Sequence, residues 1–563
     1  MADINDSSST DMIMMVDDNG YDLLAYTDEE PTEGKIANSG GGFSFVVDDF
    51  CRLRRFLCLG TEGGTYYIGE AKLNTENADV ILRLINRLQG VKVVKELLTM
   101  SVNGRASKQN SILFALAMCA RLGDVETRRL AYFHLSDICR IPTHLFTFIG
   151  YAETMTLGQH RGTGWGRVQR RALCNWYNTK TPVHLSGLVT KYKNREGWSH
   201  LDLFRLCHLK STDISHDLLY KYIVKGWSTV KDADITWAVT DDVAKTFKFL
   251  QAVEEAKTAD EARIVELITE HMLVREHIPT TLLSSVRVWD ALLVNMPLTA
   301  LLRNLAKMTS VGLFSEGRDL SSNFVCEQLT NPFLLKKARI HPFNVLIASK
   351  TYESGHGDKG GGTWIPVQKI VTALSKAYDL AFAYAEPTNK RFVLAMDISG
   401  SMQSGCINGC RLITPREGAA AMAMCTLRTE PNCTSVAFCS TLVPYPMTAA
   451  MSLSEQTQLS QEWSHRMGQT DCAQPMVWAL ANRIEADVFI IYTDCETNVG
   501  RISPASALKQ YRAEMGIPAK IIVVAMTSNG FTIADPADSG MLDIAGFDSA
   551  APEVISNFVL GNI

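Results

Sequence analysis

The spacing of apolar residues changes once along this chain, near Lys390, and that change sets the gross architecture. From about Asn77 to Ala348 apolar residues recur at helical spacing. Ile81, Leu84, Ile85 and Leu88 form one stripe and Leu298, Leu301, Leu302 and Leu305 another, with no convincing strand alternation between. After Lys390, short apolar runs of buried-strand type (Arg391 to Met396, Ser435 to Phe438, Val488 to Tyr492, Ile521 to Met526) are separated by helical stretches (Arg416 to Thr429, Thr470 to Ile484, Ala505 to Met515). This alternation predicts a doubly wound α/β domain with a mostly parallel sheet. The first 40 residues, acidic and running into Ser39-Gly40-Gly41-Gly42, read as a disordered tail, with ordered sequence beginning near Phe43. The expected division is therefore a tail over 1–40, a helical module over 41–385 and an α/β domain over 386–563.

Within the helical stretch, Lys191-Tyr192 followed by Gly197-Trp198-Ser199 is echoed by Lys221-Tyr222 followed by Gly226-Trp227-Ser228. An echo at 29 to 30 residues suggests stacked helix pairs of a repeat array. The Gly-rich stretch Ser354 to Thr363 is not a phosphate loop. Lys359 is followed by three glycines and no strand precedes it, so it reads as a plain loop.

The formal charge of −5 argues against a polyanionic partner, but the charge is unevenly spread. Residues 160–231 hold thirteen Lys/Arg against four Asp/Glu, together with five His and the indoles of Trp165, Trp176, Trp198 and Trp227. Cations interleaved with aromatics suit a surface that follows phosphates and stacks bases; a solvated helical face accounts for the same composition. Val183 to Glu196 can form a helix with the stripe Leu185, Leu188, Val189 and Tyr192, placing Lys191 and Arg195 four apart on its flank. In the next helix Leu201, Phe204, Arg205 and His208 share a face, bringing a guanidinium and an imidazole within one turn. The candidate RNA contacts are Arg167, Arg170, Arg171, Lys191, Lys193, Arg195, His200, Arg205, His208 and Lys210.

At the carboxyl end of the first α/β strand stands Asp397-Ile398-Ser399-Gly400-Ser401, where doubly wound sheets bind ligands. Asp397 with two hydroxyls offers hard oxygens on one turn. Gly468-Gln469-Thr470-Asp471 adds the Thr470 hydroxyl, and Thr493-Asp494, at the end of a buried strand, adds a second carboxylate. Serines and aspartates that merely cap helices would have to coincide three times to give this set. Mostly neutral ligands would leave Mg²⁺, or another divalent cation, open to a water or to a partner's carboxylate. The set resembles the metal-ion-dependent adhesion site of von Willebrand factor A domains.

No GxSxG elbow, HExxH helix or Cys/His signature is visible, so the chain is expected not to be an enzyme. Cys406 and Cys410, near Ser401, read as unremarkable thiols. The longest apolar run, Ile112 to Ala120, is nine residues, far short of a membrane span. Residues 1–34 carry ten acids and no base, unlike a secretory signal. Cytosol with a nuclear pool is the expected compartment.

Longer runs carry a more specific resemblance. Arg55 to Gly60 with Glu62 to Ile68, Cys139 to Ile149, Gly197 to His200, Ala338 to Phe343 and Thr527 to Asp535 are similar to the SS-A/Ro family of TROVE-domain, Y RNA-binding proteins, from about Lys35 to Ile563. The resemblance implies an α-helical HEAT-like repeat ring, the TROVE module, closed by the von Willebrand factor A domain. It implies Y RNA binding on the basic outer surface and capture of single-stranded 3′ ends of misfolded small RNAs in the hole, an RNA quality-control role. By motif, Lys191, Arg195 and His208 match the family's RNA contacts, and Asp397, Ser399, Ser401, Thr470 and Asp494 its metal site. The acidic residues 1–34, the stretch 152–164 and the Cys406 to Cys410 loop depart from the family pattern. Two rivals remain at this point: a metal-dependent adhesion or protein-interaction module without RNA, and a metal-dependent hydrolase, for which no general base is evident. The expected protein is monomeric.

Overall fold

The helices begin where the sequence supplies a side chain to cap them. Asp124 accepts from the backbone N–H groups of Glu126 and Thr127 at the start of Val125–Phe133, and Thr181, followed by Pro182, opens Pro182–Lys191. Ser199 and Asp202 form a capping box at His200–Cys207, as Thr414 and Glu417 do at Pro415–Thr429. The computed structural model describes residues 35–59, 79–157, 165–232, 241–357, 362–382, 386–407, 412–463 and 469–562.

From Asp49–Leu59 to Gln368–Ala381 the described chain is helical apart from short turns and one hairpin. Asn110–Leu122, buried on nearly every side, packs against Pro142–Leu157, where Phe114 meets Tyr151 edge-on at 5.2 Å. The two ends of the helical part meet. His341 Nε2 lies 3.0 Å from the Arg105 carbonyl and Asn344 Nδ2 donates to that of Ser107 at 3.3 Å, across 236 and 237 residues of sequence. The repeat echo marks equivalent junctions: Gly197 and Gly226 both adopt left-handed φ, +79° and +83°, just before a new helix.

The expected helix Val183 to Glu196 ends early, at Lys191. Glu196 (φ +52°) and Gly197 form a two-residue turn that pairs β3 (Asn194–Arg195) with β4 (Trp198–Ser199) as a hairpin, Arg195 opposite Trp198. Lys191 and Arg195 therefore do not share a helical flank. Residues 358–361 of the Gly-rich stretch lie outside the described residues; the flanks form a loop bridged by His356 and Thr363.

The α/β domain follows the expected pattern. Its sheet runs β11 (Met541–Ala545), β9 (Lys520–Ala525), β8 (Val488–Thr493), β5 (Arg391–Asp397), β6 (Asn432–Phe438), β7 (Leu442–Pro444), parallel except for β7. Alternate residues of β5 serve two cores. Val393 and Ala395 belong to a core shared with Leu508 and Tyr511 of Pro504–Met515, whereas Phe392, Leu394 and Met396 belong to a core that continues without a break into the later helices. Tyr378 of Gln368–Ala381 ties that helix to the α/β domain by donating to the Ala421 carbonyl at 2.7 Å.

The chain start corrects the expected tail. Residues 1–34 lie outside the described residues, but β1 (Lys35–Ala37) pairs with β2 (Phe43–Val46), which in turn pairs with β10 (Phe531–Thr532). Asn38, expected in the disordered segment, is buried and donates to the Thr497 carbonyl at 2.7 Å. The described residues thus start on the α/β domain before entering the helical part. Arg55, 1% exposed, then ties the first helix back to that domain through Asp543 and the Phe531 carbonyl, and Arg105 pairs with Asp548.

Candidate functional site

The end of β5 and the end of β8 deliver the two carboxylates expected of the metal site. Both are buried: Asp397 is fully enclosed and Asp494 is 1% exposed. Asp397 Oδ1 accepts from Ser399 N at 2.9 Å and its Oδ2 from Thr493 Oγ1 at 2.7 Å. The hydroxyls of Ser399 and Ser401 lie 3.1 Å apart on the turn that follows. Asp494 Oδ1 accepts from Glu496 N at 3.1 Å, while Oδ2 has no hydrogen-bond partner. Thr470 is buried, its N–H donating to Asn498 Oδ1 at 2.8 Å; Gly468 lies outside the described residues.

Burial, then the charge of Asp397, pushes the Asp494 carboxyl up to about 8, and burial also raises Asp397 against the lowering hydrogen bonds of Ser399 and Thr493. A second positive charge beside the Arg416 guanidinium would favour the ionised form of both carboxylates. Among the described residues no three His, Cys, Asp or Glu side chains converge as ligands; two carboxylates with the Ser399 and Ser401 hydroxyls are oxygen donors, the chemistry of a hard cation rather than zinc. Sequence reasoning missed Arg416. This buried guanidinium donates Nη2 to the carbonyls of Ile398 and Ser399 at 2.8 and 2.9 Å, which braces the turn carrying the serines. Cys406 lies just beyond that turn; Cys410 is outside the described residues.

The second candidate site is the basic surface. Arg167, Arg171, Lys193, Arg195, Arg205, His208 and Lys210 are exposed, and Arg170 and Lys191 half-buried. Lys191 sits at the end of its helix with Nζ 3.8 Å from Glu276, and Arg195 projects from the hairpin beside Glu196 at 3.2 Å. His208 closes its helix in left-handed conformation, φ +55°.

His200 does not belong to this surface. It is buried, with Nδ1 2.8 Å from the Tyr177 hydroxyl and Nε2 2.8 Å from the Tyr192 carbonyl, and burial lowers it to about 4. Nε2 therefore donates and Nδ1 accepts: a neutral structural imidazole. Two of the indoles are likewise turned inward: Trp176 is fully buried under Lys180, and Trp165 is buried against Trp198 at 6.0 Å, which closes both to stacking. Trp198 and Trp227 are half-buried. Sequence reasoning missed Arg128, Arg129 and Phe133, exposed on Val125–Phe133 outside the basic window.

Residues 36–351 match the TROVE domain family and residues 391–559 the Ro60 vWA domain family. The RNA-binding protein RO60 of Caenorhabditis elegans is 38% identical over 595 aligned positions, covering 95% of this chain and 91% of that protein. The RNA-binding protein RO60 of Deinococcus radiodurans is 36% identical over 536, covering 95% and 97%. The crystal structure of the Deinococcus radiodurans RO (RSR) protein superposes with a TM-score of 0.67 at 34% identity, over 92% of this chain and all of that one.

Proposed function

The chain belongs to the Ro60 family of proteins that join a TROVE domain to a vWA domain, and from that premise we propose that it is a non-catalytic RNA-binding protein. Its ligands are small noncoding RNAs of the Y RNA type, held by phosphate contacts on the basic face. Single-stranded 3′ ends of misfolded small RNAs enter the space enclosed by the helices, which gives the protein a role in RNA quality control. The observation that carries this reading is the bank of exposed cations from Arg167 to Lys210, of which Arg167, Arg171, Lys193, Arg205 and Lys210 make no ion pair among the described residues. Cations left without acids on a chain of net charge −5 are placed for an external polyanion.

In the vWA domain, Asp397, Ser399, Ser401, Thr470 and Asp494 would hold Mg²⁺ or another divalent cation; the unpartnered Asp494 Oδ2 supports this. The ion would supply a Lewis-acidic position for a partner protein's carboxylate. Ser399 and Ser401 keep the site neutral in part, and Arg416 holds their turn in place.

A structured RNA with a single-stranded 3′ tail and the same RNA blunted by a complementary oligonucleotide separate the two modes of binding. Duplex RNA is too wide and stiff to thread a ring of helices, whereas a single strand is not. Tighter binding of the tailed RNA in gel-shift titrations is expected. Equal dissociation constants would refute threading and leave surface binding standing, and sequencing of copurified RNA identifies the ligands.

A further inference from the structure

The turn between β1 and β2 packs on the loop that leaves Asp494. Asn38 Nδ2 donates to the Thr497 carbonyl at 2.7 Å, Gly40 N to Glu496 Oε2 at 2.9 Å and Ser44 Oγ to the Cys495 carbonyl at 3.4 Å. At Gly42 the two backbones approach so closely that a Cβ would collide with the Thr497 carbonyl. The same loop holds Thr470, whose carbonyl accepts from Asn498 N at 2.9 Å and from Thr497 Oγ1 at 3.3 Å. Residues 494–498 therefore carry one candidate metal ligand, position a second, and anchor the turn that follows β1.

Residues 1–34 precede that anchor. They carry ten Asp/Glu and no Lys or Arg, whereas the rest of the chain holds all 55 Lys/Arg against 50 Asp/Glu, so these acids find cations only outside their own segment. The metal site, for its part, has room for one more anion. Its hydroxyl donors leave a hard divalent ion with an open position that suits a carboxylate. Arg416, 3% exposed, spends Nη2 on the carbonyls of Ile398 and Ser399, while its Nε and Nη1 are buried with no partner among the described residues. A buried guanidinium with idle N–H groups is costly until an acceptor reaches it. The tether is long enough. Three residues separate Lys35 from Asn38 and three separate Thr497 from Asp494, so the longest path between Lys35 and Asp494 is about 30 Å, the span of roughly nine extended residues. Asp17, Asp18 and Asp22 reach that far on any path, and Asp28, Glu29 and Glu30 on shorter ones. The basic face also attracts acids, but it belongs to the helical part, whereas this segment is fastened at the rim of the metal site.

We propose that a carboxylate from residues 17–30 takes the open coordination position of the metal site, so that the chain's own N-terminal segment is the ligand a partner's carboxylate has to displace. The proposal rests on the metal-site reading above and adds an occupant to it. A carboxylate tethered this way is present at about millimolar effective concentration. Weak carboxylate ligands are thereby shut out, and only a partner that binds more tightly gains the site.

The test compares the full chain with a full-length variant carrying Asp17→Asn, Asp18→Asn, Asp22→Asn, Asp28→Asn, Glu29→Gln and Glu30→Gln, with matching thermal melts to establish that the variant folds. In calorimetry the variant should bind Mg²⁺ about three- to tenfold more weakly, the effect of losing one tethered carboxylate. Added acetate should restore the variant's Mg²⁺ affinity and leave the wild type unchanged. A second readout reports position. With Fe²⁺ in place of Mg²⁺, ascorbate and hydrogen peroxide should cut the wild-type backbone near Ser399 to Ser401 and also within residues 17–30, and the second set of cuts should vanish in the variant. Asp397→Ala should lose both sets. Equal Mg²⁺ affinities, or cuts near Ser399 to Ser401 with none in residues 17–30, would overturn the proposal while the metal-site reading stands. Cuts in residues 17–30 that persist in Asp397→Ala would overturn it as well, since the acids would then hold the ion by themselves. A variant that gains RNA affinity at unchanged Mg²⁺ affinity would move the segment to the basic face. If neither the wild type nor the variant binds Mg²⁺, the metal-site reading falls and takes the proposal with it.

Discussion

Asp397 carries the strongest residue-scale prediction, because it contributes charge to a set otherwise rich in neutral hydroxyls. Asp397→Ala should abolish Mg²⁺ binding in calorimetry while RNA affinity stays close to wild type; unchanged Mg²⁺ affinity would defeat the metal-site reading. Buried imidazoles make a second. His144, His200, His277 and His341 are each lowered to about 4 by burial. Their folded values lie below the unfolded value near 6.5, so the unfolded chain binds more protons in between. Stability is full above about 6.5 and falls as pH drops toward 4, by roughly 1.4 kcal/mol per pH unit for each fully titrating group. His341→Asn keeps an acceptor for the Phe343 N–H and cannot protonate, so its melting temperature should fall less between pH 7 and 5 than that of the wild type. Asp397 and Asp494 were legible as candidate ligands because they stand at the ends of β5 and β8. The structural role of His200 was not, since Tyr177 and the Tyr192 carbonyl become its partners only when the hairpin folds back.

Among the elements, the hairpin Asn194 to Ser199 decides how Arg195 is presented. Its helical misreading has a physical source: Leu185, Leu188, Val189 and Tyr192 keep helical spacing up to the turn, and termination depends on Glu196 and Gly197 accepting positive φ. A Cβ on Gly197 would meet open space, so Gly197→Ala tests the backbone alone. It should cost about 1–2 kcal/mol in denaturant unfolding and weaken RNA binding through Arg195. Lys191→Ala/Arg195→Ala should weaken RNA binding without unfolding and reduce the salt slope by about 0.7 per lost single-strand phosphate contact. Identical affinity at two salt concentrations would remove both residues from the interface. The α/β strands were readable as short, wholly apolar runs. β1 and β2 were hidden because three or four residues carry no periodic signal and their partner β10 lies near the other end of the chain.

For the whole molecule, the junction between its two parts is ionic as well as apolar. Arg55 is 1% exposed and Asp543 only 9%, so deleting one partner strands a charge in the interior. Asp543→Ala should destabilise the chain by about 3–5 kcal/mol, whereas Arg55→Met/Asp543→Leu should recover most of that loss. Equal urea midpoints for the single and double variants would contradict this account. The organisation into two modules was legible from the single change of periodicity near Lys390. Their union was not, because the core around Phe392 and Leu394 extends into helices that the sequence presents as a separate unit.

The meeting of His341 and Asn344 with Arg105 and Ser107 has a topological corollary. The helical part is clasped at that seam, and Arg105 fastens it again to Asp548 of the α/β domain. The threading proposed above would then take an RNA by a free terminus, as a needle takes thread, rather than sideways. A covalently closed circle with the same sequence as a tailed RNA, having no terminus to offer, should bind no more tightly than the blunted form.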